Sequence, residues 1–166
     1  KVPVTAWGAG TSLEGNPIPV CGGMVIDFSE MNQVIAVRPQ DFQVDVQAVV
    51  IYKELNKTLS HDGLFFPPDP GAAATIGGMI ATDACGKGSR IYGKTSNHLL
   101  TLRSILLDGS THESSRVTPD ALARLKEQPG LIGEAYRVVD QIVTTKRGTI
   151  AKQFPRMQRS MTGYNL

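Results

Sequence analysis

The sequence predicts an α+β domain. That expectation rests on an apolar run near the amino end that opens onto a glycine turn, an alternating stretch from Phe42 to Val49, and a helical period from Ile51 to His61. Strands place successive residues on opposite faces, whereas helices return to one face every three or four residues. The change of period therefore marks a change of element. At 166 residues the chain has the length of one domain, and a chain of that size buries about 70% of its accessible surface on folding.

In Val2-Pro3-Val4-Thr5-Ala6, the residues Val2, Val4 and Ala6 share one face of a strand. Trp7-Gly8-Ala9-Gly10-Thr11-Ser12-Leu13-Glu14-Gly15 follows. Gly8 and Gly10 can take positive φ at little cost, and Thr11 and Ser12 add hydroxyls. Successive N–H groups in such a turn converge on an anion, and glycine lets a phosphate approach the backbone. Each charge-assisted hydrogen bond contributes roughly 1.5–3 kcal/mol. From the residues alone, a tight loop without a ligand is the other reading. The Rossmann fingerprint fails at its third glycine, and the P-loop fails for want of Gly-Lys-Ser/Thr.

Asn16-Pro17-Ile18-Pro19 reads as an extended connector, and Gly22-Gly23 turns into a short buried strand, Met24 to Phe28. Val34–Val37 and Phe42–Val49 form an antiparallel hairpin about the turn Arg38-Pro39-Gln40-Asp41. Ile51, Leu55 and Leu59, joined by Tyr52, make one stripe of an amphipathic helix that ends near Gly63, with Lys53, Glu54, Asn56 and Lys57 facing away. Pro67-Pro68-Asp69-Pro70-Gly71 is a rigid turn. Thr75 caps a helix from about Ile76 to Ala84, with Gly86 as its stop. Gly77 or Gly78, Ala81 and Cys85 give that helix a narrow face, and glycine there costs about 0.5–1 kcal/mol relative to alanine. Either another backbone or a flat ligand packs against it. Lys87 to Lys94 is a glycine-rich basic loop, suited to neutralising a diphosphate or to a plain surface role. Leu99–Leu107 reads as a strand, with Asp108-Gly109 as the turn and Thr111-His112-Glu113 as the return. Thr118-Pro119-Asp120 starts a helix, and Ile132, Ala135, Tyr136, Val139, Ile142 and Val143 line the apolar face of a longer one.

Composition narrows the function. A hydrophobic fraction of 41% suits a globular chain, and a formal charge of +2 gives no pull towards nucleic acid. Lys146, Arg147, Lys152, Arg156 and Arg159 collect late, with no acidic residue after Asp140. They read as a solvated helix or a surface facing other protein, or else as a contact for phosphates or an anionic membrane. No apolar run approaches the ~18 residues of a membrane span, so a soluble, cytoplasmic protein is expected. Cys21 and Cys85 have neither disulfide nor metal spacing. His61, His98 and His112 lack partners at ligand spacing, and neither G-x-S-x-G nor H-E-x-x-H occurs. No catalytic constellation is present, as expected when a cofactor performs the hard step.

Four motifs, in order, carry a resemblance. They are P-V-T-A-W-G-A-G-T-S-L-E-G-N; Phe66-Pro67-Pro68-Asp69-Pro70-Gly71 continuing as A-A-A-T-I-G-G-M-I-A-T-D-A-C-G; Tyr92-Gly93 followed by L-L-T-L-R-S-I-L-L-D-G-S; and Thr162-Gly163-Tyr164-Asn165-Leu166. Together they resemble the FAD-linked oxidase family with the vanillyl-alcohol oxidase (PCMH-type) FAD-binding domain. The branch is that of cytochrome-linked D-lactate dehydrogenase and the flavin subunit of glycolate oxidase. The resemblance implies a small parallel or mixed sheet subdomain plus a larger antiparallel sheet flanked by helices. It also implies truncation, with residues 1–166 a partial FAD-binding domain lacking the substrate cap.

The implied activity is FAD-dependent oxidation of a CH–OH donor, a D-2-hydroxy acid of the lactate or glycolate type. Trp7, Gly8, Ala9, Gly10, Thr11, Ser12 and Leu13 would hold the diphosphate. Pro70, Gly71, Thr75, Gly77, Gly78 and Thr82 would run along the ribityl chain and ring system, with Tyr92 also matched to the cofactor site. The end of the Thr75 helix would stabilise negative charge on reduced flavin. Some relatives attach FAD through a histidine in the first loop; Gly8-Ala9-Gly10 has none, so non-covalent FAD is expected. Asp83 stands where many relatives carry Asn. Groups that bind substrate belong to the cap, so no catalytic residue is expected in this chain. The implied partners are a small 2-hydroxy acid and a downstream electron acceptor, with no nucleic acid and no membrane span; peripheral attachment at the inner membrane is a second placement. Two other readings remain: a scaffold that binds no flavin and acts through partners, and a different flavin reaction such as reduction of an enolpyruvyl sugar nucleotide. The segments F-F-P-P-D-P-G and G-Y-N-L favour the hydroxy-acid branch over that reductase.

Overall fold

The stripe of Tyr52, Leu55 and Leu59 forms as helix α1 (Tyr52–Ser60) and centres the core in the computed structural model, which describes residues 1–157. Leu55 and Met79 are each 1% exposed, and Val50, Ile76 and Ala84 close around them. Each of the larger of these side chains, Val50, Leu55, Ile76 and Met79, contributes about 1.5–3 kcal/mol by leaving water. The chain divides into two units, residues 1–97 and the residues from His98 onward.

In the first unit, β1 (Val4–Trp7) and β2 (Met24–Asp27) pair in parallel, Val4 opposite Met24 and Trp7 opposite Asp27. Parallel neighbours need a long crossover, usually a helix; here residues 8–23 make it without one. The expectation that β2 is buried is corrected: all of its residues are exposed, because the described residues leave the faces of this two-stranded sheet largely uncovered. The antiparallel part forms as hairpins. β3 (Val34–Arg38) and β4 (Gln43–Val46) pair around a 3-10 turn at Pro39–Asp41 and lay Val34, Val37, Val44 and Val46 against the core. Arg38 closes this hairpin with two bonds to the Asp45 carboxylate, at 2.9 and 2.6 Å.

Thr75 caps helix α2 (Ile76–Ala81), its Oγ1 accepting the Gly78 N–H at 3.2 Å. The helix ends at Ala81, not Ala84, and Gly86 is not its stop. Asp83 takes the left-handed conformation, φ 46°, while Asp83 and Ala84 N–H return to the carbonyls of Ile80 (3.2 Å) and Met79 (2.8 Å). That is a Schellman closure with Asp where glycine is usual. The exception is held from outside the helix: the Asp83 carboxylate accepts the Ser96 N–H at 3.0 Å and pairs with Lys94 at 2.5 Å. Gly86 serves packing, since a Cβ there would be driven into the Asp69 carbonyl. The expected basic loop instead forms a short helix, α3 (Ser89–Tyr92), and a 3-10 turn at Thr95–His98. Ser89 and Thr95 fasten it by bonds to Gly86 N–H (2.8 Å) and the Ala84 carbonyl (2.7 Å).

The second unit holds the hairpin β5 (Thr101–Ile105) and β6 (Thr111–Ser115), then α4 (Pro119–Glu127) with its Thr118 cap, and α5 (Gly130–Gln153). Lys126 joins α4 to Asp140 of α5 at 2.5 Å, and His112 Nε2 lies 2.9 Å from the Tyr136 hydroxyl. On the expected apolar face of α5, Val139, Ile142 and Val143 remain exposed. The motif Thr162–Leu166 and Arg159 lie outside the described residues.

Two outcomes are expected. Leu55→Ala should lower the unfolding free energy by about 2–5 kcal/mol, measured by urea titration; a loss under about 1 kcal/mol contradicts this core. At Asp83, burial raises the carboxyl pKa, but the bonds from Lys94 and Ser96 outweigh it and hold the group below its ordinary value. Its contribution is therefore complete above the unfolded value of about 3.9 and is lost as pH falls through the folded value. Asp83→Asn should make the acid limb of the stability–pH curve shallower, whereas an identical slope would remove Asp83 from that role.

Candidate functional site

The glycine loop leaves β1 at Trp7, whose carbonyl accepts the Phe28 N–H at 3.0 Å. Among the described residues, no backbone N–H from Gly8 to Glu14 meets an internal acceptor; Gly15 N–H is the next to do so, on the Ser12 carbonyl at 3.3 Å. The run thus presents consecutive free donors. Gly10 has φ 64° with the Trp7 indole beside it, so a Cβ there would sit 2.8 Å from two ring carbons. Ala9 and Thr11 are exposed, Ser12 is half-buried, and Leu13 stands fully in solvent.

A second segment meets this loop. A Cβ on Gly8 would lie 3.2 Å from Thr75 Oγ1, so residues 8 and 75 touch. Just before α2, the N–H groups of Ala72, Ala73, Ala74 and Thr75 also lack acceptors among the described residues. The first turn of α2 differs: Ile76 N–H goes to Val50 O (2.9 Å), Gly77 N–H to Ala48 O (2.7 Å), and Gly78 N–H to Thr75 Oγ1 (3.2 Å). The helix end expected to stabilise flavin charge has therefore spent its first-turn donors inside the protein, and the free amides lie one step upstream. The twin glycines divide. Gly77 packs on Ala48, 3.0 Å from a would-be Cβ, while Gly78 stays exposed. Backbone packing explains the first and leaves the second at the surface.

Of the remaining sequence-predicted residues, Pro70 is half-buried in the rigid turn and Gly71 is exposed with φ 85°. Thr82 Oγ1 donates to the Gly78 carbonyl at 3.1 Å. Tyr92, on α3, packs against the Phe65 ring edge to face at 5.4 Å and lies beside Gly88. Sequence reasoning gave none of Phe65, Tyr52, Asp69 and Asn56 a place in the site, and it saw no partner for Asp69. Asn56, expected to face away, instead accepts the Phe66 N–H (2.6 Å) and donates to the Phe66 carbonyl (3.1 Å). Its spacing from Tyr52, one helical turn, was the available signal. The Tyr52 hydroxyl donates to Asp69 Oδ1 at 2.5 Å. Burial, helped by Asp69, pushes the Tyr52 phenol up to about 12, and the bonds that Asp69 accepts from the Tyr52 hydroxyl and the Gly71 N–H hold its carboxyl below its ordinary value.

The residues present fit a dinucleotide diphosphate. Free N–H donors line both segments, the exposed backbone at Gly78 carries no Cβ, and Glu14 is the one carboxylate from Trp7 to Gly15. No group of three His, Cys, Asp or Glu able to hold a metal occurs among the described residues. No described helix is long and apolar enough to cross a membrane.

Comparison with known proteins gives the same direction. A family model described as an FAD binding domain matches residues 1–115. A D-2-hydroxyglutarate dehydrogenase of Pseudomonas putida is 39% identical over 169 aligned residues, covering 100% of this chain and 17% of that protein. A mitochondrial D-lactate dehydrogenase [cytochrome] of Arabidopsis thaliana is 40% identical over 109 residues, 66% of this chain and 19% of the relative. Alkyldihydroxyacetonephosphate synthase superposes with a TM-score of 0.62 at 27% identity, over 71% of this chain and 22% of that one. The chain spans under a fifth of the length of these dehydrogenases. The α+β flavin fold and the cofactor expected from the sequence are borne out: the chain belongs to the FAD binding domain family.

Proposed function

We propose that this chain is the flavin-holding part of a dehydrogenase that oxidises a D-2-hydroxy acid, with a dicarboxylate of the 2-hydroxyglutarate kind favoured over lactate or glycolate. The likeness to the Pseudomonas putida enzyme runs through 100% of the chain, that to the D-lactate enzyme through 66%. The observation that carries the site is the run of N–H groups from Gly8 to Glu14, unpaired among the described residues, which begins against Thr75.

Trp7, Gly8, Ala9, Gly10, Thr11, Ser12 and Leu13 form the wall for the diphosphate. The amides from Gly8 to Leu13 replace water around its charge, each bond contributing roughly 1.5–3 kcal/mol. Pro70, Gly71, Thr75, Gly78 and Thr82 form the wall for the ribityl chain and ring, and Tyr92 is assigned to the same cofactor site. Gly77 serves indirectly, by letting α2 sit against Ala48. When bound, FAD supplies the acceptor for the hydride leaving the substrate's α-carbon. Gly8-Ala9-Gly10 offers no side chain for a covalent link, so the cofactor is held non-covalently. Residues 1–166 act as part of an FAD-binding domain. The groups that bind the substrate carboxylate and take the hydroxyl proton belong to a cap outside this chain, and no catalytic residue is assigned here. The electrons pass onward to a separate acceptor.

The whole protein carrying this domain should purify yellow, and its flavin absorption should bleach when D-2-hydroxyglutarate is added. A colourless protein that also refuses added FAD would defeat the binding reading. A yellow protein unbleached by D-2-hydroxyglutarate, D-lactate and glycolate would point to another reaction on this fold. Gly10→Val strains the backbone at φ 64° and drives a Cβ against Trp7. It should weaken FAD binding at least about tenfold, some 1.4 kcal/mol; unchanged affinity in a flavin titration would contradict the loop assignment.

A further inference from the structure

Tyr52 grips the stretch from Asp69 to Ala74 at both ends. Its backbone N–H donates to the Ala74 carbonyl at 3.1 Å, and its hydroxyl donates to Asp69 Oδ1 at 2.5 Å. The residue is 3% exposed at the head of α1, so both anchors spring from the core. Asp69 Oδ1 also accepts the Gly71 N–H at 2.9 Å, closing an Asx turn that supports φ 85° at Gly71. Behind the turn, Pro68 is fully buried, the Asp69 carbonyl lies against Gly86, and Asn56 clamps Phe66 through both backbone groups. Between the two anchors, Gly71, Ala72 and Ala73 are exposed, and the Ala72 and Ala73 N–H groups are unpaired among the described residues.

From this bracket we infer that Tyr52 is a positioning residue for the flavin site: its hydroxyl, acting through Asp69, fixes the path of Pro70–Ala73 so that the free N–H groups before α2 stand ready beside Gly8. The inference rests on the FAD reading above. A stretch tied only at Ala74 would have to order itself on binding, and that ordering is subtracted from affinity. A phenol merely satisfied in the core would change unfolding and leave flavin binding alone.

The test uses the whole protein with three readouts: the FAD dissociation constant, the unfolding midpoint of the flavin-free form, and elastase cleavage after Ala72–Ala74 in that form. Tyr52→Phe keeps the buried ring, Asp69→Ala removes the same bond from the exposed side, and Asp69→Asn keeps an oxygen that accepts both donors. Tyr52→Phe and Asp69→Ala should each weaken FAD about tenfold and speed elastase cleavage severalfold, with Asp69→Asn staying near wild type in both. Wild-type affinity and cleavage in the first two variants overturns the positioning role while leaving the FAD reading intact. So does a lowered unfolding midpoint with unchanged affinity. A wild-type protein that takes up no FAD removes the reading on which this inference stands.

Discussion

A peptide N–H with no partner inside the protein must be met by water or by a ligand. From Gly8 to Glu14 the described chain leaves such groups one after another, and this need shapes the first unit. A helix over residues 8–23 would turn the donors from Ser12 onward into its own bonds, yet that crossover between β1 and β2 contains none. The loop is held instead by what touches it from the side: the Trp7 ring against Gly10, and Thr75 against Gly8. Glycine suits these contacts because a Cβ at residue 8 would press on Thr75 Oγ1 at 3.2 Å, and one at residue 10 would meet the Trp7 ring at 2.8 Å from a backbone held at φ 64°.

Support for an open backbone has to come from behind, and α1 supplies it. Its apolar stripe anchors the core, while Tyr52 and Asn56 on the same helix reach the Phe66–Ala74 segment by hydrogen bonds. Thr75 joins the parts, since its Oγ1 both caps α2 at Gly78 and rests against Gly8. The donors at the start of α2 are spent on Ala48 and Val50, which fastens that helix while leaving the amides upstream of it free. Rigid scaffold and available backbone are thus kept on adjacent residues.

Where a signal was local, the sequence was readable. The glycine loop, the hairpin around Pro39, the stripe of α1 and the Thr75 and Thr118 caps all follow from residues within a few positions of each other. The cofactor was legible through motif order rather than spacing, because Gly-x-Gly alone matches many tight loops. Features set by distant partners were hidden. α2 stops early because Ser96, 13 residues on, and Lys94 hold Asp83 in a conformation glycine normally takes. The Tyr52–Asp69 bond spans 17 residues. Polar Asn56 looked like a solvent-facing residue and is instead a clamp, and the apolar β2 looked buried but lacks a covering layer among the described residues.

Hydrogen–deuterium exchange on the whole protein, with and without FAD, reaches the central claim most directly. Amides with no partner exchange fast until a ligand accepts their hydrogens. The account predicts that peptides spanning residues 7–14 and 71–76 are both slowed by FAD, while α4 and α5 keep their rates. FAD bound with both peptides exchanging as quickly as before would contradict it, because the free amides would then have some purpose other than holding the cofactor.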